Sequence, residues 1–268
     1  MSGAGRIEVV DVSAGYGRRR APERVEPGAR RPVLVGVSAG FSRGSVTAIL
    51  GPNGVGKTTL LNLCLGWMRP WEGAVLVDGR PVAALSGGER GRLLSLVPQS
   101  DHVPFEFSLL DCVLLGRAPH LGPLETPGHE DVRIALDALE RVGLADRAEV
   151  SVLETSAGER QLVLLARSLA QESAFLLLDE PSAHLDLANK RRVVSMLRSL
   201  AANGTGVVLT THEPDFAAAS ADRVVMLDSG TVLASGVPDE VLTGPLLSRA
   251  YGTPVTVHRA DGRPVFIW

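Results

Sequence analysis

The chain has only two cysteines, Cys64 and Cys112, in 268 residues. They lie far apart in apolar stretches and read as small core residues rather than as a disulfide framework. Neither sign of charge is in excess. With 27 Lys and Arg against 30 Asp and Glu the net charge is -3, which leaves no electrostatic footprint for nucleic acid. Long apolar runs are missing too: none approaches the ~18 residues of a membrane-spanning helix. The start, Met1-Ser2-Gly3-Ala4-Gly5, lacks the hydrophobic segment of a signal peptide, so a cytosolic location is expected. Five of the six histidines show no metal-ligand spacing and read as structure. Hydrophobic residues at 45% and charged residues at 21% are ordinary for a globular protein.

Against this plain background one stretch stands out. The apolar run Val46 to Leu50 reads as a buried strand, and it enters a turn that fits G-x-x-x-x-G-K-[ST] at Gly51, Gly56, Lys57 and Thr58. The turn is Gly51-Pro52-Asn53-Gly54-Val55-Gly56, followed by Lys57-Thr58-Thr59. Glycines let successive amides turn inward around phosphate oxygens. A helix from Lys57 to Gly66 then begins at the phosphates, where its amides and dipole favour negative charge. Lys57 reaches the terminal phosphates, and the Thr58 hydroxyl is placed to bind Mg²⁺. Strand, loop and helix in this order make a P-loop, and 268 residues suit an α/β nucleotide-binding fold with an inserted lobe.

Further strands are expected at Ile7 to Val12, Gly73 to Val77 with an Asp78-Gly79 turn, and Ser95 to Val97, which ends at Pro98-Gln99. The segment 18–32 carries six arginines and three prolines and reads as an exposed loop. From about Leu109 to Leu169 the period becomes helical. Val132, Ala135, Leu136 and Leu139 share one face before Gly143, and Leu162, Leu165, Ala166 and Leu169 repeat that spacing. Ala174 to Leu178 is apolar without alternation, as a parallel strand covered on both faces should be.

Asp179 and Glu180 follow that strand at once, and His212 follows the strand Val207 to Thr211. The carboxyl ends of parallel strands are where ligands bind in such sheets, so these three are candidate site residues. Leu187 to Ala202 reads as a helix. Two hairpins are expected after it, one around Asp228-Ser229-Gly230 and one across Asp261-Gly262.

Taken in order, these motifs resemble the ATP-binding subunit of ABC transporters over nearly the whole chain. The resemblance implies a P-loop NTPase core over 1–100 and 172–268, with an antiparallel β subdomain and an inserted helical subdomain at 101–171, together one domain over 1–268. Tyr16 would stack on adenine, Gly51 to Thr59 would be Walker A, and Gln99 the Q-loop glutamine. Asp179 and Glu180 would be Walker B, Ser182 to Asp186 the D-loop, and His212 the switch histidine. Two stretches look like the family's Leu-Ser-Gly-Gly-Gln signature. Leu85-Ser86-Gly87-Gly88-Glu89 precedes Gln99, ahead of the helical lobe, and is taken as a decoy. Thr155-Ser156-Ala157-Gly158-Glu159-Arg160-Gln161 stands where the family places its signature, and departs from it at Thr155, Ala157 and Glu159. A carboxylate there suits a triphosphate only if it turns away or pairs with Arg160.

The resemblance also implies ATP and Mg²⁺ as cofactors, with Thr58, Gln99 and Asp179 around the metal and Glu180, His212 and Lys57 in hydrolysis. It implies a head-to-tail homodimer in which Ser156, Ala157, Gly158 and Glu159 of one subunit face the γ-phosphate of the other, with Asp186 helping to carry the signal across. The expected partners are an integral-membrane permease and an external substrate-binding protein, with no nucleic acid. The expected place is the cytoplasmic face of the cell membrane, peripherally. Pro98-Gln99-Ser100, Leu114 to Arg117 and Leu178 to Asn189 look most like importers of metal chelates: ferric siderophores, haem, cobalamin or molybdate. A soluble non-transport ABC ATPase or an exporter ATPase of the same fold are the alternatives. The first usually carries two ATPase domains or a long coiled coil, which this chain lacks.

Overall fold

The computed structural model describes residues 5–16, 32–99, 106–122, 124–183, 185–260 and 262–268. The arginine-rich stretch is therefore outside the described residues over 18–31, as is His184 of the D-loop stretch. The first strands are β1 (Arg6–Ala14), β2 (Leu34–Ser42) and β3 (Val46–Leu50), and α1 (Lys57–Cys64) follows the P-loop. β4 (Glu72–Val77) and β5 (Arg80–Pro81) turn at Asp78-Gly79 as expected. A short helix α2 (Gly87–Leu93) leads into β6 (Leu94–Val97), and α3 (Leu109–Leu114), α4 (His129–Val142) and α5 (Ala157–Ala170) form the helical run. Then come β7 (Phe175–Leu178), α6 (Leu187–Ala202), β8 (Gly206–Thr211), α7 (Pro214–Ser220), β9 (Arg223–Asp228) and β10 (Thr231–Gly236). The chain closes with α8 (Pro238–Val241), α9 (Gly244–Tyr251) and the hairpin β11 (Thr256–Ala260) and β12 (Arg263–Ile267).

These elements divide into two compact units. One comprises residues 1–42, 47–85 and 210–268, and the other 43–46 and 86–209. In the first, β1 pairs antiparallel with β2 and β4, and β4 with β5. β3 lies parallel to β9, and β10 returns antiparallel to β9. Every residue of β3 is buried, which is why its sequence shows no alternation. Cys64 is fully buried on α1, and burial pushes its thiol up to about 12, so it serves as apolar filling.

In the second unit β6, β7 and β8 run parallel in that spatial order, β7 being buried throughout. The decoy motif has a simple physical role there. Ser86 is the N-cap of α2, and Glu89 returns its carboxylate to the Ser86 amide at 2.9 Å, a capping box. Ser-x-x-Glu is what a helix start needs, so likeness to the signature by letters alone arises from capping chemistry. The end of α2 lies on the turn 115–120, where Arg92 Nε donates to the Pro119 carbonyl at 3.1 Å.

Arg117 fastens that turn. It is only 6% exposed, and its Nε donates to Asp131 at 2.8 Å while Nη1 reaches the Ala170 carbonyl at 2.7 Å and Glu172 at 2.8 Å. Removing the guanidinium would leave a carboxylate and a carbonyl facing a void, so Arg117→Ala is expected to lower the Tm by on the order of 5–10 °C at pH 7. The Arg117 guanidinium, and after it the Gly128 amide, hold the Asp131 carboxyl below its usual range. Because the folded value is the lower one, this stabilisation is complete above the ordinary aspartate value near 3.8 and is lost as the pH falls below it. Scanning calorimetry should therefore show a gap between the wild type and the variant that narrows only in that acid range.

Candidate functional site

The candidate site residues fall in both units, and each set is built by its own elements. In the first unit, β3 delivers the chain to Gly51, whose amide donates to the Thr211 carbonyl at 3.4 Å. A Cβ on Gly51 would stand 2.8 Å from the Leu227 carbonyl oxygen, so only glycine lets the loop leave the strand here. Gly56 has φ +109° and is the N-cap of α1, and no side chain caps that helix. Its first turn carries no acid either. A glycine stands where a serine or aspartate would cap the helix, and a helix start without an acidic side chain suits an anion. Pro52 is half-buried, Asn53, Gly54 and Thr58 are exposed, and Val55 and Thr59 are buried.

Lys57 is 6% exposed and lies across the loop. Its Nζ donates to the Gly51 carbonyl at 2.8 Å and the Pro52 carbonyl at 3.2 Å. Its charge is thereby held inside the turn that the glycines shape. Tyr16, 58% exposed, places its hydroxyl 3.3 Å from Thr59 Oγ1, so the ring stands beside α1 with a face open to a base. His212 follows Thr211 and is exposed, and its carbonyl accepts a hydrogen bond from the Tyr251 hydroxyl at 2.8 Å. This unit therefore gathers Tyr16, the loop and the end of β8 around one place. Tyr251 was not legible as a support, because nothing in the sequence ties a residue on α9 to one 39 positions earlier.

In the second unit Asp179 leaves β7 with its amide donating to the Val97 carbonyl at 2.9 Å, so Gln99 and the two acids emerge from neighbouring parallel strands. Asp179 and Glu180 are 8% and 6% exposed. Glu180 takes φ +49°, rare for a side chain with a Cβ and costing about 1–3 kcal/mol, at the head of a turn closed by Ala183 N–H to the Glu180 carbonyl at 3.0 Å. Asp186 accepts from the Asn189 amide at 2.7 Å and caps α6.

Residues 155–161, the stretch expected to be the signature, lead into α5. Ser156 is its N-cap, with Ala157 as the first helical residue and Gly158 half-buried behind it. Thr155 is buried where the family has leucine, and its hydroxyl is satisfied by the Val152 carbonyl at 2.6 Å. Glu159 pairs with Arg147, in the 3₁₀ turn Ala145–Arg147, instead of with Arg160, which sits one place along the helix and cannot reach back. Gln161 is 7% exposed and Nε2 donates to the Pro98 carbonyl at 3.4 Å, which ties α5 to the residue before Gln99.

Thr58 offers a hydroxyl oxygen in the first unit, and Gln99 and Asp179 offer an amide and a carboxylate oxygen in the second. Hard oxygen donors few in number suit Mg²⁺, which keeps waters and binds mainly through substrate phosphates. No group of three His, Cys, Asp or Glu among the described residues is arranged to hold a metal on its own.

A family model described as ABC transporter matches residues 34–183. The hemin import ATP-binding protein HmuV of Streptomyces coelicolor is 42% identical over 227 residues, spanning 85% of this chain and 80% of that protein. An inward-facing metal-chelate type ABC transporter has a chain that superposes with TM-score 0.82 at 30% identity over 98% of both chains. The dimeric structure of a bacterial ABC transporter cassette aligns with TM-score 0.75 at 25% identity, covering 87% of this chain and 98% of that one.

Proposed function

The chain belongs to the ABC transporter family and is one of its ATP-binding subunits, an α/β P-loop ATPase, and we propose that it drives import of a metal chelate through a separate membrane permease. The observation that carries the hydrolytic part of this reading is the glycine turn that leads into α1, with Lys57 held across it. The import part is supported by likeness to the hemin import subunit, and hemin is the first chelate to test.

In this mechanism the loop amides and Lys57 bind the β- and γ-phosphates, and the Tyr16 ring stacks on adenine. Thr58, Gln99 and Asp179 would hold Mg²⁺, which supplies charge neutralisation on the phosphate oxygens. Glu180 orients and polarises the attacking water. His212 contacts the γ-phosphate and registers its presence, with the Tyr251 hydroxyl steadying its main chain. In a head-to-tail homodimer Ser156, Ala157, Gly158 and Glu159 meet the γ-phosphate of the partner, Asp186 helps relay the signal, and loss of that phosphate opens the pair. The 101–171 segment serves as the helical subdomain that receives the permease within a single 1–268 domain.

No helix among the described residues is long and apolar enough to cross a membrane, so the proposed place at the cytoplasmic face depends on the permease. An external substrate-binding protein completes the system. The test is to copurify the permease with this chain, rebuild the pair in vesicles and measure hydrolysis with each chelate and its binding protein. Hydrolysis should rise several-fold with one chelate. If the chain fails to copurify with any permease and sediments with ribosomes instead, the transport reading is wrong.

A further inference from the structure

Three serines in the second unit start helices by the same device. Ser86, Ser108 and Ser156 cap α2, α3 and α5, with Glu89, Asp111 and Glu159 closing the box. In the first two the serine hydroxyl donates to the carboxylate, at 2.8 Å and 2.6 Å. A hydroxyl has one proton, so a serine engaged in this way has none left for another acceptor. That is harmless at a plain helix start, but at Ser156 it would withhold the proton that a phosphate needs.

At Ser156 the carboxylate has a cation as a further partner. Glu159 Oε2 accepts from the Ser156 amide at 2.9 Å, and the Glu159 amide donates to Ser156 Oγ at 3.2 Å. The other oxygen, Oε1, is taken by Arg147 Nη1. Glu159 is held below the usual carboxylate range by the Ser156 amide and hydroxyl and then by Arg147, so it is an anion at neutral pH, within one helical turn of Ser156. An unneutralised anion there competes with phosphate for the amides of the helix and repels it directly.

We infer that Arg147 is a positioning residue of the signature: by binding Oε1 of Glu159 it neutralises the carboxylate and competes with Ser156 for it, so that the Ser156 hydroxyl can exchange Glu159 for the γ-phosphate held by a partner subunit, beside the first amides of α5. This rests on the reading of residues 155–161 as the signature. Arg147 and Glu159 are each about one-third exposed, so a change at either should leave the fold intact. Arg147 touches neither nucleotide nor water in this scheme and acts only through Glu159.

The experiment places substitutions in a Glu180→Gln chain and follows ATP-dependent dimerisation by light scattering, with nucleotide binding to the dilute monomer measured alongside. Arg147→Ala should raise the concentration for half-dimerisation about tenfold while monomer binding stays unchanged. Arg147→Lys should recover part of the loss, and adding Glu159→Gln to Arg147→Ala should recover nearly all of it, because the charge that needed neutralising is gone. A double variant as weak as the single one would show that Arg147 only braces the fold, and an Arg147→Ala chain that dimerises like its parent would dismiss the role altogether. Ser156→Arg separates the underlying reading. If dimerisation survives an arginine at position 156, residues 155–161 are not the signature and the inference falls with that reading. If it is blocked, only the Arg147 and Glu159 variants decide.

Discussion

Glu180→Gln is expected to release phosphate about 10²–10³ times more slowly than the wild type while binding ATP with unchanged affinity. Glutamine keeps the shape of the side chain and can still hydrogen bond, so the buried turn after β7 should persist. What it loses is the capacity to accept a proton and the negative charge that polarises water. The backbone at φ +49° is set by the turn from Glu180 to Ala183, which the substitution leaves alone. With hydrolysis removed, any closed state accumulates, so light scattering in ATP should report a mass near twice 28.3 kDa. An ATP-dependent dimer would mean that the altered signature still works. A chain that binds ATP and remains monomeric would mean that Ala157 and its neighbours impair the composite site. Hydrolysis within threefold of wild type would remove Glu180 from the mechanism.

The parts of the site read most directly from sequence are those whose chemistry is local. Gly51 to Thr59 needs a strand, a turn and a helix in immediate succession, and each left its own mark in composition. Asp179, Glu180 and His212 were legible as candidates because buried parallel strands are uniformly apolar, and a polar side chain at their end is conspicuous. What was missed depends on distant partners or weak periodicity. β2 was unread because Leu-Val-Gly-Val-Ser-Ala-Gly-Phe-Ser is rich in small residues, and its pairing with β1 slips twice, between Val9 and Val12 and again before Ala14, so inward positions do not alternate. α7, α8 and α9 are short and start at or next to proline, and four to eight residues are too few to show a helical period. Arg117 was legible as part of a familiar stretch, but its three partners lie 14 to 55 residues away and only packing shows that they converge.

The proposed signature, residues 155–161, shows the same limit from another side. Its letters differ from the family pattern at three places, and letters alone count those differences as losses. The structure gives each a local answer for two of the three: the Thr155 hydroxyl is satisfied by Val152, and the Glu159 charge is met by Arg147 twelve positions earlier. Ala157 has no such compensation, since its methyl group stands at the first helical position of α5. If turnover is slow in this chain, Ala157→Gly is the substitution that geometry favours for restoring it.

Lys57→Ala is expected to weaken ATP binding by about 10²-fold and to abolish measurable hydrolysis. Two losses combine. The β- and γ-phosphates lose a buried positive charge, which in a site of low dielectric is worth more than any exposed lysine. The Gly51 and Pro52 carbonyls also lose the donor that holds them at 2.8 Å and 3.2 Å, so the loop is free to relax away from the shape its glycines permit. Lys57→Arg should do little better, because a planar fork is larger than the compact ammonium that fits beneath those carbonyls. Equilibrium binding of a fluorescent ATP analogue gives the affinity, and a melting curve within a few degrees of wild type separates loss of the site from loss of the fold. Tyr16→Ala makes the internal comparison. It should weaken binding by no more than the worth of one stacked base, about 1–3 kcal/mol, and leave the hydrolysis rate at saturating ATP unchanged. If instead Lys57→Ala binds ATP within threefold of wild type, the phosphates are held elsewhere and the uncapped start of α1 is not where the chemistry happens.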